Sequence, residues 1–421
     1  MPPGEEVHTR VEALFRTRSG AVTAALTRLF GPGRLDVVEA VRQEAFLRAL
    51  ALWPSHGVPD EPVAWLIKVS RNLALDRIRR DRRLAVKEGE VARWFTATVG
   101  SAAAAPEATF GHELADDQLR MMFVCCHPAL ARPSQVVLTL QTLCGMAVEE
   151  IARLLLTAAD TVAKRLTRAK AKLRQAGVDF DLPPAAELSP RLEAVQTVLY
   201  LLFSEGHSAH KGKRPVRREL CREAIQLTTL LAAHPVGDTP ATQALLALMH
   251  LHAARLDARL DADGNLLTLA EQDRRLWSRR DIELGLLCLA RSATGGELSA
   301  YHLEAGIAAC HARAGSYDDT DWTQIVSYYD RLAALNPSPV VALNRAIAIG
   351  MRDGPERGIA ELKAIGDHPR LDAYHLLPAA FGDFYERSGN RRRARDYYRR
   401  AETLARTAAE RRFLARRLER L

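Results

Sequence analysis

Residues 134–175 read SQVVLTLQTLCGMAVEEIARLLLTAADTVAKRLTRAKAKLRQ, and this stretch decides the fold. Ser134–Leu143 is apolar at helical spacing, Gly145 supplies a turn, and Val148–Leu155 gives a second helix carrying Glu149-Glu150-Ile151-Ala152. A break at Leu156–Ala159 leads into a last helix, Asp160–Gln175. In that helix Val162, Leu166, Ala169 and Leu173 form an inward stripe, while Lys164, Arg165, Arg168, Lys172 and Arg174 fall mostly off it. Lys164–Arg174 holds six basic residues and no acid. One face that packs and one that is basic make the layout of a helix-turn-helix recognition helix, which predicts DNA contact. The break before the last helix lacks the glycine such motifs often carry, and Ala147 and Ala158 stand where capping hydroxyls are expected. A missing cap costs about 1 kcal/mol, and Thr157 or Asp160 can cap instead.

Working outward, almost every segment reads as helix, so the fold class is all-α. Val7–Phe30 forms one helix, closed by Gly31-Pro32-Gly33; Asp36 caps a second, which Trp53-Pro54 ends. A third runs from Pro62 to about Arg83. Residues 85–112 read as a linker with a low-complexity run at Gly100–Pro106, helices resume at Glu113, and Asp179–Pro184 and Ser189-Pro190 mark a boundary. The expected organisation is a first helical module over 7–84, a helix-turn-helix module over 113–178, and a helical array over 185–421. Asn344–Ile365 and Phe381–Ala401 repeat at an offset of about 34–35 residues, the tetratricopeptide period. Gly354-Pro355 and Gly389-Asn390 stand at matching turns, with Ala360 and Ala394 at the small positions where paired helices touch.

The net charge of +8 is local rather than general. Residues 1–180 hold 25 Lys/Arg against 20 Asp/Glu, and the remainder 34 against 31. Besides Lys164–Arg174, Arg71–Lys87 concentrates seven basic residues against Asp76 and Asp81. Trp65, Lys68, Arg71, Asn72, Asp76, Arg79 and Arg80 recur at helical spacing there. An aromatic ring among basic groups suits a separated strand, on which a base stacks and phosphates are neutralised. Six cysteines show no metal spacing, and Cys125-Cys126 reads as buried thiol. No run reaches the roughly eighteen apolar residues of a membrane helix, and Met1–Arg10 holds no apolar stretch, so a cytoplasmic protein without membrane contact is expected. Glu205, His207, His210 and Asp273 are better read as surface or core hydrogen bonders than as a catalytic or metal site, and Asp318-Asp319-Thr320-Asp321 as a loop and helix cap. No phosphate loop or nucleophile motif appears. No enzyme, catalytic residue, metal or cofactor is expected.

Together these stretches resemble the bacterial extracytoplasmic-function sigma factors. The first module is similar through Asp36-Val37-Val38-Glu39-Ala40-Val41-Arg42-Gln43-Glu44-Ala45-Phe46, Pro62-Val63-Ala64-Trp65-Leu66 and Arg71-Asn72-Leu73-Ala74-Leu75-Asp76-Arg77-Ile78-Arg79-Arg80. The second is similar through Glu149-Glu150-Ile151-Ala152 and Thr161–Lys170. Cys125–Leu130, Glu205-Gly206, Leu220–Ile225, Gln272-Asp273-Arg274, Asp321-Trp322 and Pro337–Ala346 extend the resemblance to the subgroup with a long tetratricopeptide-like extension.

The resemblance implies that Asp36, Glu39, Gln43, Glu44 and Phe46 dock on core RNA polymerase. Trp65, Lys68, Arg71, Asn72, Asp76, Arg79 and Arg80 would read and melt the minus-ten element. Asp160, Thr161, Lys164, Arg165 and Arg168 would enter the major groove at the minus-thirty-five element. Val37, Val38, Ala40 and Val41 stand where the family commonly has acids. The extension is expected to regulate or to dock a protein partner. A classical repressor or activator with a ligand-sensing helical domain is the competing reading, and it predicts a two-fold dimer on a palindrome. The basic end, Arg391–Arg395 and Arg411–Arg420, alternates with Glu402, Glu410 and Glu419 and reads as a solvated helix.

Overall fold

The computed structural model describes residues 3–84, 107–155, 157–207, 216–365, 368, 371–372, 374–405 and 407–421. Among these residues the secondary structure is helical apart from one isolated antiparallel bridge, Leu260–Leu266. The chain forms two compact units, Met1–Val198 and Leu199–Leu421.

The first unit opens with α1 (Pro3–Phe30), α2 (Leu35–His56) and α3 (Pro62–Leu84). Val22 and Leu26 of α1, Val38, Val41, Ala45, Phe46 and Ala49 of α2, and Leu66, Leu73 and Ala74 of α3 share one core. Two expectations change here. The N-cap of α2 is Arg34, with no side-chain cap; Asp36 lies in the first turn, where its charge suits the helix dipole. Pro54 does not end α2, which runs three residues past Trp53 to His56 because buried Trp53 anchors its last turn. Gly57, at φ +82°, closes it.

The helix-turn-helix region comprises α4 (Glu107–Cys125), α5 (Arg132–Thr142), α6 (Val148–Leu155) and α7 (Ala159–Gln175). Helix thus resumes at Glu107, six residues before the expected start at Glu113; the rest of that linker, residues 85–106, lies outside the described residues. Gly145 turns at φ +65°. The missing cap at Ala147 is made good by Glu150, whose Oε2 accepts the Ala147 N–H at 2.9 Å. Ala158 caps α7 with no side-chain bond, so neither Thr157 nor Asp160 takes that part. Burial drives the Cys125 thiol up to about 12, and its Sγ lies 3.0 Å from Thr142 Oγ1: both vicinal thiols are core groups.

α8 (Ala185–His207) carries Pro190 inside it rather than starting after it, and the two units divide within this helix. In the second unit follow α9 (Arg218–Ala233), α10 (Pro240–Ala253), α11 (Arg279–Ser292), α12 (Ala300–Arg313), α13 (Trp322–Leu335), α14 (Pro339–Asp353), α15 (Pro355–Ala364), α16 (Leu376–Arg387), α17 (Arg391–Leu404) and α18 (Ala408–Glu419). α10 is buried at every position from Thr242 to Leu251 and packs on α11 and α12. The repeat takes form as α14–α15 and α16–α17, turned at Gly354 (φ +103°) and Gly389 (φ +80°). Ala394 is fully buried, but Ala360 is exposed. The small contact of the first pair is made instead by Gly350 and Gly358, where a Cβ on Gly350 would lie 2.7 Å from the Gly358 Cα.

Candidate nucleic-acid interface

A helix turns 100° per residue, and α7 has three faces. Val162, Leu166, Ala169 and Leu173 are buried beneath it. Asp160, Thr161, Lys164, Arg165 and Arg168 share the opposite side; Asp160, Lys164 and Arg168 are exposed, Thr161 and Arg165 half-buried. Asp160 and Lys164 pair across one turn at 2.7 Å, both well exposed, which adds only a few tenths of a kcal/mol. Arg165 and Arg168 are therefore presented by a rigid helix, at the spacing a major groove accepts.

The third face is where sequence reasoning fell short. Lys170 is 7% exposed and turns toward the first module. Its Nζ donates to Glu39 Oε2 at 2.7 Å and lies 3.4 Å from Asp36 Oδ1. One turn on, Arg174 donates to Asp36 Oδ2 at 3.0 Å and to the Gly33 carbonyl at 2.9 Å. Lys170 and Arg174 belong to the acid-free run, and nothing local distinguishes them from the outward bases. Arg174 is not on the open face expected of it.

This contact decides the state of α2. Gln43 and Glu44 are exposed, the latter pairing with Arg48 at 2.9 Å. Asp36 is exposed but held by Lys170 and Arg174, and Glu39 is buried against Lys170. Phe46 is not on the docking surface: it is 4% exposed and packs edge-on against Phe15 at 4.9 Å. Val38 and Val41, where the family has acids, are core residues. Arg42 is buried as well and donates to Thr23 Oγ1 at 2.9 Å; burial lowers its pKa.

On α3, Trp65, Lys68, Asn72, Asp76 and Arg79 fall within about 80° of helical arc. Lys68, Asn72, Asp76 and Arg79 are exposed, whereas Arg71 lies off this stripe and is half-buried. Trp65 is half-buried, its ring 5.3 Å from that of Trp53 in an edge-to-face arrangement. The Arg80 side chain lies outside the described residues.

Asp321 caps α13 by accepting from Gln324 N, and Asp319 accepts from Ser316. Asp273 pairs with Arg275, and His210 lies outside the described residues. Among the described residues no three His, Cys, Asp or Glu side chains gather to hold a metal, and no helix is long and apolar enough to cross a membrane. The basic end is not simply solvated: Arg412, Arg416, Arg417 and Arg420 bond Asn265, Asp261, Asp383 and Glu271.

A three-helix module packed beside a helix-turn-helix whose basic face is exposed is the architecture of a DNA-binding protein. Residues 14–84 match the family described as Sigma-70 region 2, residues 120–173 match Sigma-70, region 4, and residues 191–293 match a family of unknown function (DUF6596). "Uncharacterized protein R00370" of Rhizobium meliloti (strain 1021) is 38% identical over 410 residues, 97% of this chain and 95% of that protein. "Probable ECF RNA polymerase sigma factor SigI" of Mycobacterium tuberculosis (strain ATCC 25618 / H37Rv) is 27% identical over 180 residues, 42% of this chain and 59% of that protein. The chain belongs to the extracytoplasmic-function sigma factors, within which it carries an additional C-terminal helical region. It is a promoter-directing factor of transcription initiation.

Proposed function

We propose that the chain acts by binding alone, its residues divided among three tasks. Gln43, Glu44 and Asp36 on α2, joined by Glu39 once freed, dock core RNA polymerase. Lys68, Asn72, Asp76 and Arg79, with half-buried Trp65 and the flanking Arg71 and Arg80, engage the minus-ten element and its displaced strand. Thr161, Lys164, Arg165 and Arg168, with Asp160 bracing Lys164, read the minus-thirty-five element. The division spans 7–84 for the first two tasks and 113–178 for the third, with 185–421 regulating the factor or docking a protein partner. The observation that carries this reading is the open basic face of α7 opposite a fully buried apolar stripe.

The same helix holds Asp36 and Glu39, so docking through those carboxylates requires the two modules to part. Run-off transcription with purified core polymerase tests the assignment. Arg168→Ala should lower promoter-dependent product by roughly ten- to a hundred-fold, the discrimination of one base contact of about 1–3 kcal/mol. Equal product from the wild type and from Arg168→Ala and Asn72→Ala variants would sink the residue assignment.

A further inference from the structure

Several residues of the extension that have no part in promoter binding converge in the second unit. A Cβ on Gly206 would lie 2.9 Å from Cys221 Sγ, and that Sγ is 3.9 Å from the Phe203 carbonyl. The Phe203 ring stacks on His207 at 5.9 Å, and His207 lies 4.7 Å from the His252 ring. Arg259 donates to His207 Nε2 at 2.8 Å and to its carbonyl, and Arg255 donates to His252 Nδ1 at 3.3 Å. Arg274 donates to the carbonyls of His311 and Ala314 at 2.8 and 2.7 Å while its guanidinium covers Trp277 at 4.6 Å. His311 in turn meets Trp322 at 5.4 Å. Residues 206, 221 and 322, spread over more than a hundred positions, thus lie beside a group of three guanidiniums (Arg255, Arg259, Arg274) and three imidazoles (His207, His252, His311).

The charge of this cluster is unanswered. Among the described residues no carboxylate hydrogen-bonds Arg255, Arg259 or Arg274, and Asp319 acts on Arg274 only at a distance. Arg274 Nη2, Trp277 Nε1 and His311 Nδ1 are buried with no hydrogen-bond partner among the described residues. Buried cations and donors persist when something pairs with them. Burial and the neighbouring arginines also push His311 down to about 4 and hold His207 and His252 well below their usual range. Arg255, Arg259, Arg274 and His311 are each half-buried, so the cluster is not sealed wholly inside the core.

We propose that this cluster binds a phosphate group, making the extension a sensor of a phosphate-bearing small ligand. Guanidinium forks supply bidentate donors, and here they come from separate segments around Arg255, Arg259 and Arg274, with Trp277 Nε1 as a further donor. Donors from so many directions suit a tetrahedral oxyanion better than a planar carboxylate.

The test is titration of the full-length chain with inorganic phosphate at constant ionic strength, followed by calorimetry and thermal unfolding; adenosine monophosphate is a second arm. One saturable site per chain is expected, weakened at least tenfold in both Arg274→Gln and Trp277→Phe and unchanged in exposed Arg275→Gln. Trp277→Phe keeps the packed ring and so covers any loss of folding in Arg274→Gln. Saturation by phosphate identifies free phosphate as sufficient, and saturation by the monophosphate alone identifies an ester as the ligand. Saturation by neither, a shift that chloride reproduces, or binding unchanged in folded Arg274→Gln and Trp277→Phe overturns the proposal. None of these outcomes involves polymerase, so failure here leaves the promoter reading untouched.

Discussion

Lys170 and Glu39 face each other across 131 residues of sequence with a 2.7 Å hydrogen bond, both largely out of water. Breaking one member of such a buried pair leaves an uncompensated charge, which destabilises by about 3–5 kcal/mol, whereas replacing both with apolar groups is often neutral. Lys170→Met should therefore lower the urea midpoint of the first unit's transition, and Lys170→Met combined with Glu39→Leu should recover most of it. A midpoint unmoved by Lys170→Met would show that the pair holds nothing. The outer pair, Arg174 with Asp36, is more than half exposed on both sides and adds little.

A second residue-scale prediction concerns pH. Burial lowers His311 from 6.5 to about 4, so it stays neutral in the folded chain. As pH falls from 6.5 toward 4 the unfolded chain binds a proton that the folded chain does not, and stability drops. His207 and His252 act in the same direction. Denaturant midpoints of the second unit at pH 7.5 and 5 should therefore fall with acid, less so in His311→Gln. Glu304, raised by burial from 4.5 to about 7, has the opposite sign: its contribution is fully present below pH 4.5 and is lost as pH rises from there through 7, so it partly offsets the histidines over the same range.

At the scale of elements, α7 shows what a sequence displays and what it withholds. Its apolar stripe at 162, 166, 169 and 173 and its acid-free run identify a packed basic helix directly. They do not reveal that Lys170 and Arg174 turn back onto α2, because the partner lies in another module. Phe46 was misplaced for a related reason: a stretch that docks a partner also supplies its own core, and motif membership does not separate the two. Pro54 misled because a proline's local effect yields when the following turn is anchored by a buried ring. The array was legible from its helical spacing and turn glycines, whereas the true small contact at Gly358 lay two residues from Ala360, a shift that spacing alone does not resolve. A Cβ on Gly358 would lie 2.5 Å from the Phe384 ring. Gly358→Ala should cost about 1–3 kcal/mol through overpacking, read as a lower thermal midpoint of the second unit; an unchanged midpoint would contradict this packing.

At the scale of the whole molecule, the first unit holds its two helical modules against each other. α4 lies along α1, where buried Asp117 meets Arg28 at 3.3 Å. A Cβ on Gly20 of α1 would overlap the Leu143 carbonyl, so only glycine permits this approach. Gly20→Val should force the modules apart, seen as faster proteolysis of the free protein with promoter-directed transcription retained. In the closed arrangement Glu39 is covered, and the docking proposed for it requires the two modules to open. The distance between labels at Arg48→Cys and Lys172→Cys, with half-buried Cys310 replaced by Ser, reports on this directly. Pulsed dipolar spectroscopy on the free chain should give one short distance, replaced by a much longer one when core RNA polymerase is added. The same short distance in the free protein and in an active polymerase complex would contradict the account.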